Sequence, residues 1–201
     1  MAARVERGLL VRSVRYALTA ARLVTPDHLP RPTPCAEWDL RTLLQHIGDS
    51  MDALSEGLYT GFVDPGTALG DGDGDGDDDD DGGPGPGPVA GLTLRAGTLL
   101  CASAAAGSAE YRVAIGDREL TTSLVTMTGA VEIAVHGWDI SVTCGGPAAL
   151  PPGLAADLLP VAMLLAARGL RAGLFADPVP VPDLACPGDR LVAFLGRRPR
   201  P

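Results

Sequence analysis

Only three histidines occur in this 201-residue chain, and two of them lie on apolar helical patterns where a reactive site could be assembled. His136 follows Glu132 by one helical turn in the run Glu132-Ile133-Ala134-Val135-His136-Gly137-Trp138-Asp139-Ile140. Side chains at i and i+4 leave a helix on the same face, with β-carbons about 6 Å apart, near enough to share one ion. Val131, Ile133, Ala134, Val135 and Trp138 surround the pair, so it is expected to be buried, and a buried carboxylate needs a partner. His46 sits beside the apolar stripe of another helix, three residues after Leu43 and one before Ile47. Together the three residues make a two-histidine, one-carboxylate donor set, which leaves positions on a metal for water or substrate. The plainer alternative is that Glu132 and His136 hydrogen-bond to each other while His46 is an ordinary core or surface residue. His28 falls in a proline-rich connection and reads as a solvated loop residue.

The elements that must position these residues follow from hydrophobic period. Leu9, Leu10, Val14, Ala17, Leu18 and Ala21 predict a first helix over about residues 6–24. Pro26, Pro30, Pro32 and Pro34 then demand an extended connection. Asp39 is a good N-cap for a second helix, with Trp38 and Leu43 placed as a hydrophobic staple and Leu40, Leu43, Leu44, Ile47, Met51, Leu54 and Leu58 as its apolar stripe. A third helix is predicted over 93–106, a short extended piece over 110–119, and a fourth helix over 121–144 that stops at Gly145-Gly146-Pro147. Residues 154–172 read as helix kinked at Pro160, 179–182 as extended, and 189–195 as a short closing helix. The fold class is therefore all-α, a four-helix bundle with an extra C-terminal helix, in a single domain over 1–201.

An insert over 65–91 breaks the pattern. Its centre, Asp71 to Pro88, reads DGDGDGDDDDDGGPGPGP, and like charges, glycine and proline all oppose packing there, so a disordered loop is expected. Asp71, Asp73, Asp75 and Gly76 imitate the first half of a calcium loop, but its twelfth position falls on Gly82 and no helix flanks it, which argues against calcium. Eight of the 25 acidic residues lie in this segment, so the net charge of −9 belongs to the insert; the other 17 acids nearly balance 16 arginines. No basic footprint for nucleic acid remains. No apolar run reaches about 18 uninterrupted residues, the length of a membrane helix. The arginine-bearing N-terminus lacks the pattern of an export signal, so a cytoplasmic protein is expected. Cys35, Cys101, Cys144 and Cys186 are scattered, and read as small apolar residues rather than disulfides or zinc thiolates.

Three segments carry a resemblance. Residues 32–46, PTPCAEWDLRTLLQH, resemble the signature TPC-x-x-W-x-x-x-x-L-x-x-H of the mycothiol-dependent maleylpyruvate isomerase N-terminal family, within the DinB-like superfamily of metal-binding four-helix bundles. Residues 132–140 resemble its second signature, E-x-x-x-H-x-W-D, and Asp189 to Pro199 is similar to the DRL…LGR-x-P ending of a short-chain branch lacking the C-terminal domain. The resemblance implies a divalent ion, zinc first with nickel, iron or manganese as alternatives, held by His46, Glu132 and His136. It further implies a transferase or isomerase using a low-molecular-weight thiol such as mycothiol, since an open metal site lowers a bound thiol's pKa. The alternatives are a non-enzymatic metal-binding or sensing module, with Asp139 as a fourth ligand, and a helical interaction domain without metal. Trp38 and Trp138 are expected to pack near the site. Asp139 is expected to orient a ligand, pair an arginine or lie on the surface. Arg190 is its candidate partner, or that of a substrate carboxylate, and Cys35 is expected to be structural. A small-molecule substrate or thiol is the expected partner, without nucleic acid or membrane, in a monomer or homodimer.

Overall fold

The computed structural model describes residues 2–35, 38–64, 87–107, 110–147, 149–167 and 176–199. Among these the chain forms six α-helices: α1 (Ala2–Ala21), α2 (Leu40–Thr60), α3 (Pro88–Ala105), α4 (Thr122–Thr143), α5 (Pro152–Ala167) and α6 (Pro187–Phe194). A small sheet of β1 (Phe62–Val63), β2 (Arg112–Ile115) and β3 (Arg118–Thr121) accompanies them. The predominantly helical bundle expected from the sequence is present, with this sheet as an addition. The piece predicted as extended over 110–119 is a hairpin: β2 pairs antiparallel with β3, while β1 adds in parallel with Phe62 opposite Ala114. Gly116, at φ 58°, turns between the two strands. The sheet caps one end of α2, and Val63, Val113 and Val125 form a small satellite core beneath it.

α4 is the axle of the bundle. Of its residues, Leu124, Val131, Ile133, Val135, Trp138 and Ile140 are buried on different sides, with α1 along one flank and α2 along another. A helix apolar all round must lie inside. Leu10, Val14 and Ala17 of α1, Leu40, Leu43, Ile47 and Met51 of α2, and Leu92, Ala96 and Leu99 of α3 complete the core. α5 and α6 pack on each other, and α5 also meets α4 and α1, so Leu158, Leu165, Leu191 and Val192 extend the same core.

Several boundaries differ from those read in the sequence. α1 starts at Ala2 and ends at Ala21, short of Val24, because Pro26 is followed by a single 3₁₀ turn over Pro26–His28 instead of an extended run. α3 begins at Pro88, so residues 88–91, assigned to the insert, are helical; proline suits the first helical position, where its missing N–H has no bond to make. The rest of the acidic segment falls in 65–86, outside the described residues, as does the stretch of the predicted fifth helix beyond Ala167. Residues 179–182, read as extended, belong to no helix or strand, and Val179 N donates to Ala193 O at 2.9 Å. α3 is also the one helix among the described residues long and apolar enough to cross a membrane, with mean hydropathy 1.2, though its Leu92, Ala96, Leu99 and Ala102 face the core.

Close approach of α1 and α4 depends on glycine at position 137, and Gly129 makes room for the Leu54 side chain of α2. A β-carbon on Gly137 would lie 2.9 Å from Ala17 Cα, and one on Gly129 would lie 2.5 Å from Leu54 Cδ1. Gly137→Ala is therefore expected to destabilise the protein by roughly 1–3 kcal/mol, as overpacking against backbone does. Gly97→Ala in α3, whose added carbon meets nothing within 4 Å, is expected to gain about 0.5–1 kcal/mol. Urea unfolding of both variants checks the pair, and a stable Gly137→Ala would contradict the packing described.

Candidate metal centre

The two ligand-bearing helices are set by their starts. The Asp39 carboxylate accepts from Thr42 N at 2.8 Å and caps α2, and Thr121 Oγ1 accepts from Leu124 N at 3.2 Å and caps α4. Asp39 is the cap expected from the sequence, while Thr121, expected as the start of the fourth helix, is its cap. Ahead of α2, Thr33 N and its hydroxyl both donate to Trp38 O at 3.0 Å, and Pro32 bridges Asp39, so the chain enters the helix on a fixed path. That path lays Trp38 over His46, ring centroids 4.5 Å apart.

His46, Glu132 and His136 meet in the interior. Glu132 Oε1 lies 2.9 Å from His46 Nε2 and 3.0 Å from His136 Nε2, and the three donor atoms fall within 4.8 Å of one another. The two imidazoles stand edge to face, with centroids 5.2 Å apart. His136 is buried, Glu132 nearly so, and His46 is about one-third exposed, which leaves one side of the cluster open to solvent. The other oxygen, Glu132 Oε2, is buried with no hydrogen-bond partner. A buried carboxylate oxygen without a donor is costly, and a divalent cation among two imidazoles and this carboxylate would satisfy it. The donor set suits zinc or another first-row divalent ion, so the residues present fit a metal.

Beyond the cluster, His136 Nδ1 lies 3.0 Å from Asp139 Oδ2. Asp139 is fully buried and accepts from Arg197, Nη2 to Oδ2 at 3.0 Å and Nε to Oδ1 at 3.4 Å. The arginine paired with Asp139 is therefore Arg197 and not Arg190, which is exposed on α6; the helix spacing that suggested Arg190 is silent about which residue the tail turns inward. Asp139 itself is a buried hydrogen-bond acceptor and not a surface carboxylate. Trp138 is buried in the core, while Trp38 is half-buried against His46. His28 is partly exposed in the turn after α1, where its Nδ1 lies 3.0 Å from Leu23 O and 3.3 Å from Thr25 N. All four cysteines are free. Tyr16 and Ser13 on α1 bring buried hydroxyls without partners, which no sequence pattern announced because serine and tyrosine read as ordinary helix residues there.

Charge decides the protonation of the unliganded cluster. Burial pushes the Glu132 carboxyl upward, but the imidazoles of His136 and His46 outweigh it and hold the group well below the usual carboxylate range. Burial likewise opposes charge on His136, yet Glu132 and Asp139 raise it to about 9. Burial pushes the Cys35 thiol up, partly offset by Arg197. Tyr16 is raised by burial and then by Asp139.

The predominantly helical fold is that of a DinB-like bundle, here with His46, Glu132 and His136 as a candidate metal-binding group. Within that class, the chain belongs to the mycothiol maleylpyruvate isomerase N-terminal domain family, matched over residues 11–141. Two uncharacterised proteins of Mycobacterium tuberculosis, from strains CDC 1551 / Oshkosh and ATCC 25618 / H37Rv, are each 27% identical over 181 residues, spanning 88% of this chain and 89% of their own. No solved structure matches the chain.

Without metal, the His136 ion pairs contribute stability that is fully present below about pH 6.5 and is lost as pH rises toward 9. Urea midpoints of chelator-treated protein are expected to fall over that range, and the fall to disappear in His136→Gln. A flat profile would show that His136 is not held charged.

Proposed function

We propose that this protein binds one divalent ion, zinc first, through His46, Glu132 and His136, and uses it as a transferase or isomerase acting with a low-molecular-weight thiol such as mycothiol. The reading rests on one observation: Glu132 Oε1 stands 2.9 and 3.0 Å from two imidazole nitrogens while Oε2 is buried without a partner. Were the three side chains merely satisfying each other, that oxygen would have a donor. Family membership supports the thiol.

When bound, the ion would lower the pKa of a thiol or water and so supply a nucleophile at neutral pH. The chain's own residues account for the rest. His46 and His136 present Nε2, and Asp139 keeps the proton on His136 Nδ1, which leaves Nε2 free to bind metal. Glu132 brings the negative charge that offsets part of the ion's. Trp38 covers the imidazoles on one side and shapes the approach from solvent. Asp139 is already committed to His136 and Arg197, so it does not serve as the fourth ligand a closed, sensing site would need. That favours an open site over the non-enzymatic alternative.

The same reading makes the chain one domain that works as a monomer or homodimer on a small molecule, without nucleic acid or membrane. A cytoplasmic setting agrees with four free cysteines.

Elemental analysis after dialysis against a weak chelator is expected to find about one equivalent of metal in the wild type and almost none in His136→Ala or Glu132→Gln. In cobalt-loaded protein, a thiol that enters the site should add a sulfur-to-metal absorption band. Wild type that emerges metal-free and refuses zinc on titration would remove the proposal.

A further inference from the structure

The tail of the chain reaches the candidate centre from outside the region that defines the family. α6 ends in a tight turn in which Gly196 N donates to Ala193 O at 3.0 Å and Arg197 N to Val192 O at 2.9 Å. These are the paired bonds of a Schellman motif, and Gly196 takes the left-handed conformation it requires, φ 83°. A side chain there would strain the backbone and would also place its β-carbon 2.6 Å from Ala176 Cβ. The turn reverses the chain just after the helix and sends the next side chain inward. Arg197 is consequently 5% exposed, an unusual burial for arginine, with its Nη1 donating to Leu195 O at 3.0 Å and its Nε and Nη2 on Asp139.

We infer that Arg197 is a positioning residue of the metal centre: by clamping the Asp139 carboxylate it fixes the His136 ring so that Nε2 faces Glu132. The inference rests on the metal reading given above. A carboxylate held at one point rotates about its terminal bond, whereas a guanidinium on both oxygens sets its plane. Asp139 Oδ2 then receives Arg197 Nη2 and His136 Nδ1 at the same distance, 3.0 Å, so the orientation of the guanidinium passes directly to the imidazole. The partners are 58 residues apart in sequence, which makes the C-terminal segment part of the site and more than a cover for the bundle. Lysine would not replace arginine here, since one ammonium cannot reproduce the two-point contact.

Zinc affinity of the full-length protein, measured by competition with a chromophoric chelator, tests this with wild type, His136→Ala, Arg197→Ala and Arg197→Lys. Arg197→Ala is expected to weaken zinc binding by roughly 10–100-fold, as loss of an outer hydrogen-bond partner does, with Arg197→Lys in between. Guanidinium ion added at low concentration should restore affinity to Arg197→Ala and leave wild type unchanged, an effect that a general packing defect would not give. Nitrogen shifts of the His136 ring should report a single tautomer in the wild type and a mixture in the variant. Should Arg197→Ala fail to fold, Arg197→Gln, which fills similar space, takes its place. Equal zinc affinity in wild type and the Arg197 variants, with binding lost in His136→Ala, would overturn the inference and leave the metal site standing. Wild type that binds no zinc would overturn both.

Discussion

Removing a carboxylate from water is costly, and how Glu132 is met governs what surrounds it. Its desolvation is offset only if positive charge or proton donors lie within hydrogen-bond reach. Two imidazoles supply this at one oxygen, His136 from the same helix as Glu132 and His46 from α2. α2 and α4 are thereby tied at a fixed height along their axes. The second oxygen is buried without a hydrogen-bond partner, beside a His46 that is about one-third exposed.

From that carboxylate a line of alternating charge runs through the interior: Glu132, His136, Asp139, Arg197. Each link is at hydrogen-bond distance and each buried charge has an opposite one beside it, which is the condition for tolerating charges in a low-dielectric core. The line also explains why α5 and α6 pack against the bundle as they do. Their apolar contacts hold the tail in place, but the turn at Gly196 decides which residue the tail delivers.

Much of this was legible in the sequence because it depends on local rules. The cap at Asp39, the start of α4 near Thr121, the stop at Gly145-Gly146-Pro147 and the i, i+4 spacing of Glu132 and His136 all act within a few residues, and helix period places His46 beside the apolar stripe of α2. The family resemblance chose among readings that spacing left open. What was not legible depends on tertiary approach. Nothing in the spacing of the closing helix distinguishes Arg190 from Arg197 as the partner of Asp139, because the choice is made by a left-handed turn after the helix ends. The pairing of β1 with β2 joins Phe62 to Ala114 across the acidic segment, and a two-residue strand is too short to carry a period of its own. The early start of α3 was hidden because Pro88 closes a run of glycine and proline that reads as loop, although proline is also a good first residue of a helix.

The pair of glycines on α4 bears on any attempt to move this centre elsewhere. Gly129 lies three residues before Glu132 and makes room for the Leu54 side chain of α2, while Gly137, directly after His136, lets the α1 backbone approach. The ligands sit between two notches in the same helix. Grafting His46, Glu132 and His136 into a generic bundle with leucine at the notch positions would push α1 off α4 and crowd the Leu54 side chain beside the ligands. The three donor side chains alone are not a transferable unit, because the spaces beside them belong to it as well.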